Sequence, residues 1–286
     1  MGGMGFIEVA KLISDEEVSF EFLCGRLGGF CCPGCGCRDF YVMSRRRFRC
    51  GKCRDDFRPL GGTWFSCLNL SCSQWLSLVK LFELSVSARK AAEQLSISYN
   101  TALRAFDVIR VAIACELAED DKVLKGEIEA DEAYFGGKRR GKRGRGSRNK
   151  NIVFGILERN NRVSVSIVRD ASAETLMAET VKKVRRGSVV YTDRWKGYDA
   201  LVFCGYKHLS IEHGKQFSNG KVYINGIEGF WSFAKERMMK YRGVSKDKFL
   251  YYIKEMEWRY NNRGKDLFSL LVDYMITKKT LGAELN

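Results

Sequence analysis

Residues 126–137 read GEIEADEAYFGG. Apolar and acidic side chains alternate along this stretch and a glycine pair closes it, as in a strand with one packed face. Ile128, Ala130 and Ala133 form the apolar set, and Asp131 falls among the interleaved acids. Downstream, IVFGIL (152–157) and VSVSIV (163–168) read as two further strands, joined through Asn160 and Asn161. A helix is expected from about Ala173 to Arg185. A short buried strand follows, SVVYTD at 188–193, ending on Asp193.

Three strands, a helix and a fourth strand tipped with an acid follow the order of a ribonuclease H-like α/β domain. That order would set Asp193 beside Asp131 across a parallel strand pair. A third acid is expected from a later helix, and NGIEGFWSFAK (225–235) supplies Glu228. Glu228, Trp231 and Lys235 stand at i, i+3 and i+7, on one helix face, so Lys235 would meet a DNA strand two turns from the acid. Three converging carboxylates repel one another until divalent cations neutralise them. Two Mg²⁺ (or Mn²⁺) ions held there would serve an in-line displacement at phosphorus.

The totals agree with a polyanion partner. Lys and Arg outnumber Asp and Glu by 49 to 34, a formal charge of +15, and each phosphate contact releases counterions. No apolar run reaches the ~20 residues of a spanning helix, and Glu8, Asp15, Glu16 and Glu17 interrupt any signal-peptide pattern. A hydrophobic share of 45% suits a globular chain of 286 residues, long enough for one large domain and smaller ones.

Eleven cysteines crowd toward the first quarter. Cys32-Pro-Gly-Cys35 and Cys50-Gly-Lys-Cys53 form two C-x2-C turns, the donor set of a tetrahedral zinc site. The 14 residues between the pairs suffice for a hairpin with strands at 39–42 and 47–49. Cys31 and Cys37 could each replace a neighbour, but Pro33-Gly34 supplies the turn for Cys32 and Cys35. Arg45, Arg46, Arg47 and Arg49 sit on that hairpin as candidate phosphate contacts. Cys24, Cys67, Cys72, Cys115 and Cys204 lack pair spacing and read as ordinary thiols. SARKAAEQLSISYNTALR (87–104) resembles a helix-turn-helix, with Ala91, Ala92 and Leu95 packing and Ser98 capping the second helix. Tyr99, Asn100, Thr101 and Arg104 would then face a DNA groove; a helical hairpin joining domains is the alternative.

EADEAYFGGK (129–138), VVYTDRWKGYDAL (189–201), NGIEGFWSFAKERMMKYRGVSKDKF (225–249) and EWRYNNR (257–263) together resemble the DDE transposases of the ISXO-like insertion-sequence family, which are similar to the eukaryotic Merlin elements. The resemblance runs from about 30 to 265. It implies a ribonuclease H-like catalytic domain, Mg²⁺ use, binding of terminal inverted repeats, and cut-and-insert chemistry. Asp131 and Asp193 would be the first two catalytic acids, Glu228 the third and Lys235 the trailing lysine. Some relatives place Asn in the third role, which makes Asn225 the reserve.

The segment KRRGKRGRGSRNK (138–150) has eight Lys or Arg in thirteen residues. Lys138, Arg139, Arg140, Lys142, Arg143 and Arg145 are its candidate DNA contacts, against the alternative of a solvated loop. His213 reads first as a satisfied structural imidazole, with a general-acid or DNA-contact role held in reserve. Trp195 and Trp231 are expected in the core, with base stacking as the alternative, and Glu129, Glu132 and Asp199 are expected beside the site.

The expected organisation is a helical extension (1–30), a zinc ribbon (31–60), a helix-turn-helix-like segment (70–120), a ribonuclease H-like domain (125–265) and a helical tail (266–286). The expected function is a transposase that cleaves element ends and joins the 3′-hydroxyl to target DNA. It would use two Mg²⁺ ions and one structural Zn²⁺, act on double-stranded DNA as a homodimer or larger assembly, and work in the cytoplasm, or in the nucleus of a eukaryotic host. A nuclease without joining and a domesticated, non-catalytic DNA-binding regulator are the alternatives.

Overall fold

The structure, a computed structural model, describes residues 3–120, 122–136, 150–160, 162–193, 202–211, 223–241 and 243–277. The chain is mixed α/β and divides into two compact units, residues 1–117 with 264–286, and residues 118–263. No helix among the described residues is long and apolar enough to cross a membrane.

The first unit starts with helices α1 (Phe6–Ile13) and α2 (Glu16–Arg26). Three short strands follow, β1 (Phe40–Val42), β2 (Phe48–Cys50) and β3 (Asp56–Phe57), in an antiparallel sheet of order β1-β2-β3. The hairpin expected from the cysteine spacing is β1–β2, with Phe40 opposite Cys50; β3 was not anticipated. Phe30, Phe40, Phe48 and Phe57 cluster with ring centroids 4.7 to 6.3 Å apart, which gives this small sheet an aromatic core. Helices α3 (Cys72–Glu83), α4 (Ala88–Leu95) and α5 (Tyr99–Glu119) complete the run. Trp75, Leu76, Val79 and Phe82, at helical spacing, are all buried on α3, whereas Leu84 at its C-cap, which continues the same apolar pattern in the sequence, is exposed. Between α4 and α5, Ser96 takes a left-handed φ of 51° and the Ser98 hydroxyl accepts the Thr101 N–H at 3.0 Å. The second helix of this pair runs far beyond Arg104, to Glu119.

The α3 N-terminus is tied down by Glu16. Its carboxylate accepts the Cys72 and Ser73 backbone N–H groups, both at 2.8 Å, where the unpaired amides and the helix dipole favour an anion. The same carboxylate pairs with Arg46, whose guanidinium also lies 4.7 Å from the Phe20 ring centroid. One acid thus joins α2, the hairpin and α3.

In the second unit, β4 (Glu127–Phe135), β5 (Asn151–Glu158) and β6 (Val163–Val168) form an antiparallel meander. Helix α6 (Ala173–Lys183) leads to β7 (Val189–Asp193), which runs parallel to β4, and β8 (Lys207–Ile211) extends the sheet parallel to β7. The strand order is β6-β5-β4-β7-β8. Helices α7 (Asn225–Met238) and α8 (Lys246–Asn261) complete the unit.

The period-two pattern sorts the two faces of the sheet. Ile128 and Ala130 pack with Phe154, Val190 and Leu176 of α6. Ala133 and Phe135 pack on the other face with Ile227, Phe230 and Trp231 of α7 and Ile253 of α8. Ala133 therefore does not share a face with Ile128 and Ala130 as the sequence suggested, because the odd positions of β4 point the other way. A Cβ at Gly155 of β5 would lie 2.6 Å from the Trp231 ring, so only glycine lets α7 settle on the sheet there.

Helix α9 (Leu267–Ile276) returns to the first unit. The Met4 N–H donates to Asp266 at 2.9 Å, Arg26 pairs with Asp273 at 2.7 Å, and Phe268 and Leu271 are fully buried.

The Glu16 carboxyl is held down at about 2; burial raises it, but hydrogen bonds from Ser73, Cys72 and Arg46 outweigh that. A depressed acid contributes stability above its ordinary range and loses it as pH falls toward the folded value. Glu16→Gln should lower the melting temperature at pH 7, by the equivalent of about 1 kcal/mol after screening. In a pH series of thermal melts the deficit should shrink below pH ~4 and vanish near pH ~2.

Candidate active site

Strand β4 carries Asp131 and β7 ends on Asp193. Ala130 is in register with Thr192, so the next residue on each parallel strand is an aspartate. Both are half-buried. The Asp131 carboxyl is pushed up to about 6, first by burial and then by the charge of Glu132, with the charge of Asp193 adding. The Trp231 indole N–H donates to Asp131 Oδ2 at 3.1 Å and favours the charged form.

On α7, Ile227, Phe230, Trp231 and Ala234 are buried, whereas Asn225, Glu228 and Lys235 are exposed. At 3.6 residues per turn, Glu228 and Lys235 lie within about 20° of each other around the helix, next to Trp231 at the edge of the buried stripe. Trp231 is thus a core residue, as expected, and also a donor to Asp131, which the sequence did not reveal. The Asp131 contact brings this edge of α7 to the strand that carries the first acid.

The remaining acids of β4 are engaged. Glu129, two residues before Asp131 and on the same face, is 1% exposed. Its Oε1 accepts Arg159 Nε at 2.9 Å, and its Oε2 accepts the Ile227 backbone N–H at 2.9 Å. Arg159 also donates to the Tyr223 carbonyl at 2.6 Å and reaches Glu127 at 3.4 Å. Its guanidinium lies 3.9 Å from the ring centroids of both Tyr191 and Tyr223. The Tyr191 hydroxyl donates to Glu127 at 2.9 Å. The sequence reading set Glu129 beside the site, and there it is buried and ion-paired. Arg159, Tyr191 and Tyr223 were missed, and the only available signal was the period-two spacing of Glu129 from Asp131.

In the first unit, the Sγ atoms of Cys32, Cys35, Cys50 and Cys53 all lie within 4.8 Å of one another, a set that could hold one metal ion. Cys32 faces Cys53 at 3.4 Å and Cys35 faces Cys50 at 3.5 Å. Backbone N–H groups of Cys53 and Lys52 donate to Cys50 Sγ, both at 3.4 Å. The Cys53 amide is the largest influence in bringing the Cys50 thiol down to about 6, whereas the thiols of Cys35 and Cys53 are raised. Cys31 is exposed, and Cys37 instead takes the Asp39 N–H at 3.4 Å.

The basic candidates divide. Arg46 is engaged by Glu16, by Glu17 at 3.0 Å and by the Phe20 ring, so its position corrects its reading as an open phosphate contact. Arg47 and Arg49 pair with Asp56 and stay half-exposed. Tyr99, Asn100 and Arg104 are exposed at the start of α5. The Arg45 side chain, Lys138, Arg139, Arg140, Lys142, Arg143, Arg145, Trp195, Asp199 and His213 lie outside the described residues.

Residues 123–261 match the model of the ISXO2-like transposase domain, which makes the second unit a transposase domain. A transposase-like protein of Haemophilus influenzae is 39% identical over 101 residues, covering 35% of this chain and 82% of that one. A protein of the transposable element ISH50 of Halobacterium salinarum is 26% identical over 267 residues, 86% of this chain and 91% of that one. The crystal structure of the Mos1 strand transfer complex aligns over 69% of this chain and 77% of its own at 11% identity, with a TM-score of only 0.26. The chain belongs to the ISXO2-like family of transposases.

An acid whose folded value is raised destabilises the fold above that value and ceases to do so once both states are protonated. Asp131→Asn should therefore raise the melting temperature of the metal-free chain at pH 7 to 8, by the equivalent of about 1–3 kcal/mol. The gain should fade as pH falls from ~6 to ~4. An unchanged melting temperature at pH 8 would contradict the repulsive setting of Asp131.

Proposed function

We propose that the chain is a DDE-type transposase with a ribonuclease H-like catalytic domain, acting on double-stranded DNA where the host genome lies. The strand order β6-β5-β4-β7-β8, with an antiparallel meander and then parallel strands, supports that fold assignment. The observation that carries the functional reading is the adjacency of Asp131 and Asp193 across the parallel β4–β7 pair, where burial, the charge of Glu132 and then that of Asp193 raise Asp131 to about 6. The two carboxylates stand side by side, on adjacent parallel strands. A carboxylate donor set of this kind fits hard, oxygen-seeking divalent cations.

Asp131, Asp193 and Glu228 would hold two Mg²⁺ (or Mn²⁺) ions, with Asn225 as the reserve for the third position. When bound, such ions activate the attacking oxygen and stabilise the leaving one. The Trp231 indole N–H orients Asp131 and partly offsets the effect of burial by favouring its charged form. Lys235, beside Glu228 on the exposed edge of α7, contacts a phosphate of the strand being cut.

In the first step, a water oxygen bonds to phosphorus at the element end, the P–O3′ bond breaks, and the 3′-oxygen leaves and takes up a proton. In the second, that 3′-hydroxyl bonds to a target phosphorus and displaces a target 3′-oxygen, so one phosphodiester replaces another and no protein adduct forms. The four-cysteine set in the first unit holds a structural Zn²⁺. Tyr99, Asn100 and Arg104, with half-exposed Arg47, contact DNA, and so do Lys138–Arg145. Two element ends require at least a dimer.

The reading is tested with duplexes copied from the DNA flanking the gene, supplied uncut and with a pre-cut 3′-hydroxyl end. Wild type should cut the first and join the second. Glu228→Gln and Asp131→Asn should each lose both activities by more than about 100-fold, with DNA affinity unchanged within about 2-fold. Full cleavage by Glu228→Gln would move the third role to Asn225, and cutting without joining would leave a nuclease. Metal analysis of the purified chain should find one zinc per chain, and Cys50→Ser should lose it together with thermal stability.

A further inference from the structure

Arg159 and Glu129 belong to no carboxylate set, yet they join every element that carries one. Their side chains are only 8% and 1% exposed, and burying such a pair carries a desolvation cost that apolar packing would avoid. The contacts show what the pair holds. Glu129 extends from β4, the strand of Asp131, and accepts the N–H of Ile227 in the first turn of α7, the turn that carries Asn225 and Glu228. Arg159 grips Glu129, lies against the ring of Tyr191 on β7, the strand of Asp193, and donates to the carbonyl of Tyr223 just before α7. Its backbone N–H donates to Glu127 of β4 at 3.0 Å, which pins the arginine at its root. A planar guanidinium with several fixed donors can bind a carboxylate and a carbonyl while stacking on aromatic faces; a lysine cannot do all three.

We propose that Arg159 and Glu129 are a positioning pair: one buried ion pair fixes β4, β7 and the first turn of α7 relative to one another and thereby sets how well the three acids take up divalent cations. The inference rests on the metal-holding role assigned to Asp131, Asp193 and the start of α7, but holds whether Glu228 or Asn225 completes the set, since both ride on the same turn. Neither Glu129 nor Arg159 touches DNA or metal in this scheme.

The test uses the full chain with Arg159→Lys and Glu129→Gln. Mn²⁺ binding is measured by calorimetric titration, and cleavage of the flanking-repeat duplex is followed across Mn²⁺ concentrations. Both variants should bind Mn²⁺ roughly 10-fold more weakly and lose about 10- to 100-fold in kcat, as when a partner behind a metal ligand is removed. DNA affinity and KM should stay within about 2-fold, and raised Mn²⁺ should restore part of the rate. A lowered melting temperature with wild-type Mn²⁺ affinity and kcat would overturn the proposal, because the pair would then serve stability alone. Should both variants fail to fold, Tyr223→Ala removes one stacking ring and leaves the buried pair intact. It should weaken Mn²⁺ binding about 3-fold, and no change there would also overturn the proposal. If wild type binds Mn²⁺ but cuts no DNA, the proposed reaction fails while the calorimetric comparison still decides this inference. If wild type binds no Mn²⁺, the inference falls with the metal site.

Discussion

Two like charges on neighbouring positions of a parallel strand pair are the constraint around which the second unit is built. Register makes Asp131 and Asp193 neighbours, and the packing around Asp131 removes water that would otherwise screen its charge. The meander must leave β4 beside β7. Gly155 must lack a side chain so that Trp231 can lie flat and reach Asp131. Helix α7, which carries Glu228, is anchored at its first turn as well as along its apolar stripe. Hydrophobic contacts set which face α7 buries; directional bonds from Glu129 and Arg159 set where its first turn sits.

The first unit solves a different problem with similar means. Its small sheet has little area to bury, so it combines a cluster of four phenylalanines with a cysteine set ready for a metal. Small folds depend on such additions because apolar area alone stabilises them weakly. Glu16 then couples that sheet to the helices through α3's free amides.

What could be read from the sequence follows from the range of each interaction. Strand β4 and its acid were legible because alternation is local, and the two C-x2-C turns because Pro33-Gly34 marks one of them. Strand β8 was not: KHLSI is short and mostly exposed, and only Leu209 and Ile211 alternate in it. The placement of Ala133 failed on parity, since a spacing of three along a strand reverses the face. Glu129 and Arg46 were read by residue type, but each is defined by a partner 30 residues away, Arg159 and Glu16. Trp231 was legible as core from helical spacing; that its nitrogen points at Asp131 depends on how α7 crosses the sheet, which periodicity does not encode. The apolar run 267–276 announces a helix, but nothing local says that it closes the earlier unit.

That closing helix has a consequence for synthesis. Because α9 supplies Phe268, Leu271, Val272 and Met275 to the core of the first unit, the unit begun at the N-terminus is completed only after the second has been made. At about 5–20 residues per second, the intervening segment takes roughly 7 to 30 s to emerge. The transposase domain has its whole sequence first and can fold while the other unit still lacks a wall of its core. The order of assembly is thus the reverse of the order of the units along the chain, and a chain stopped short of α9 would carry a complete transposase domain on an unfinished partner.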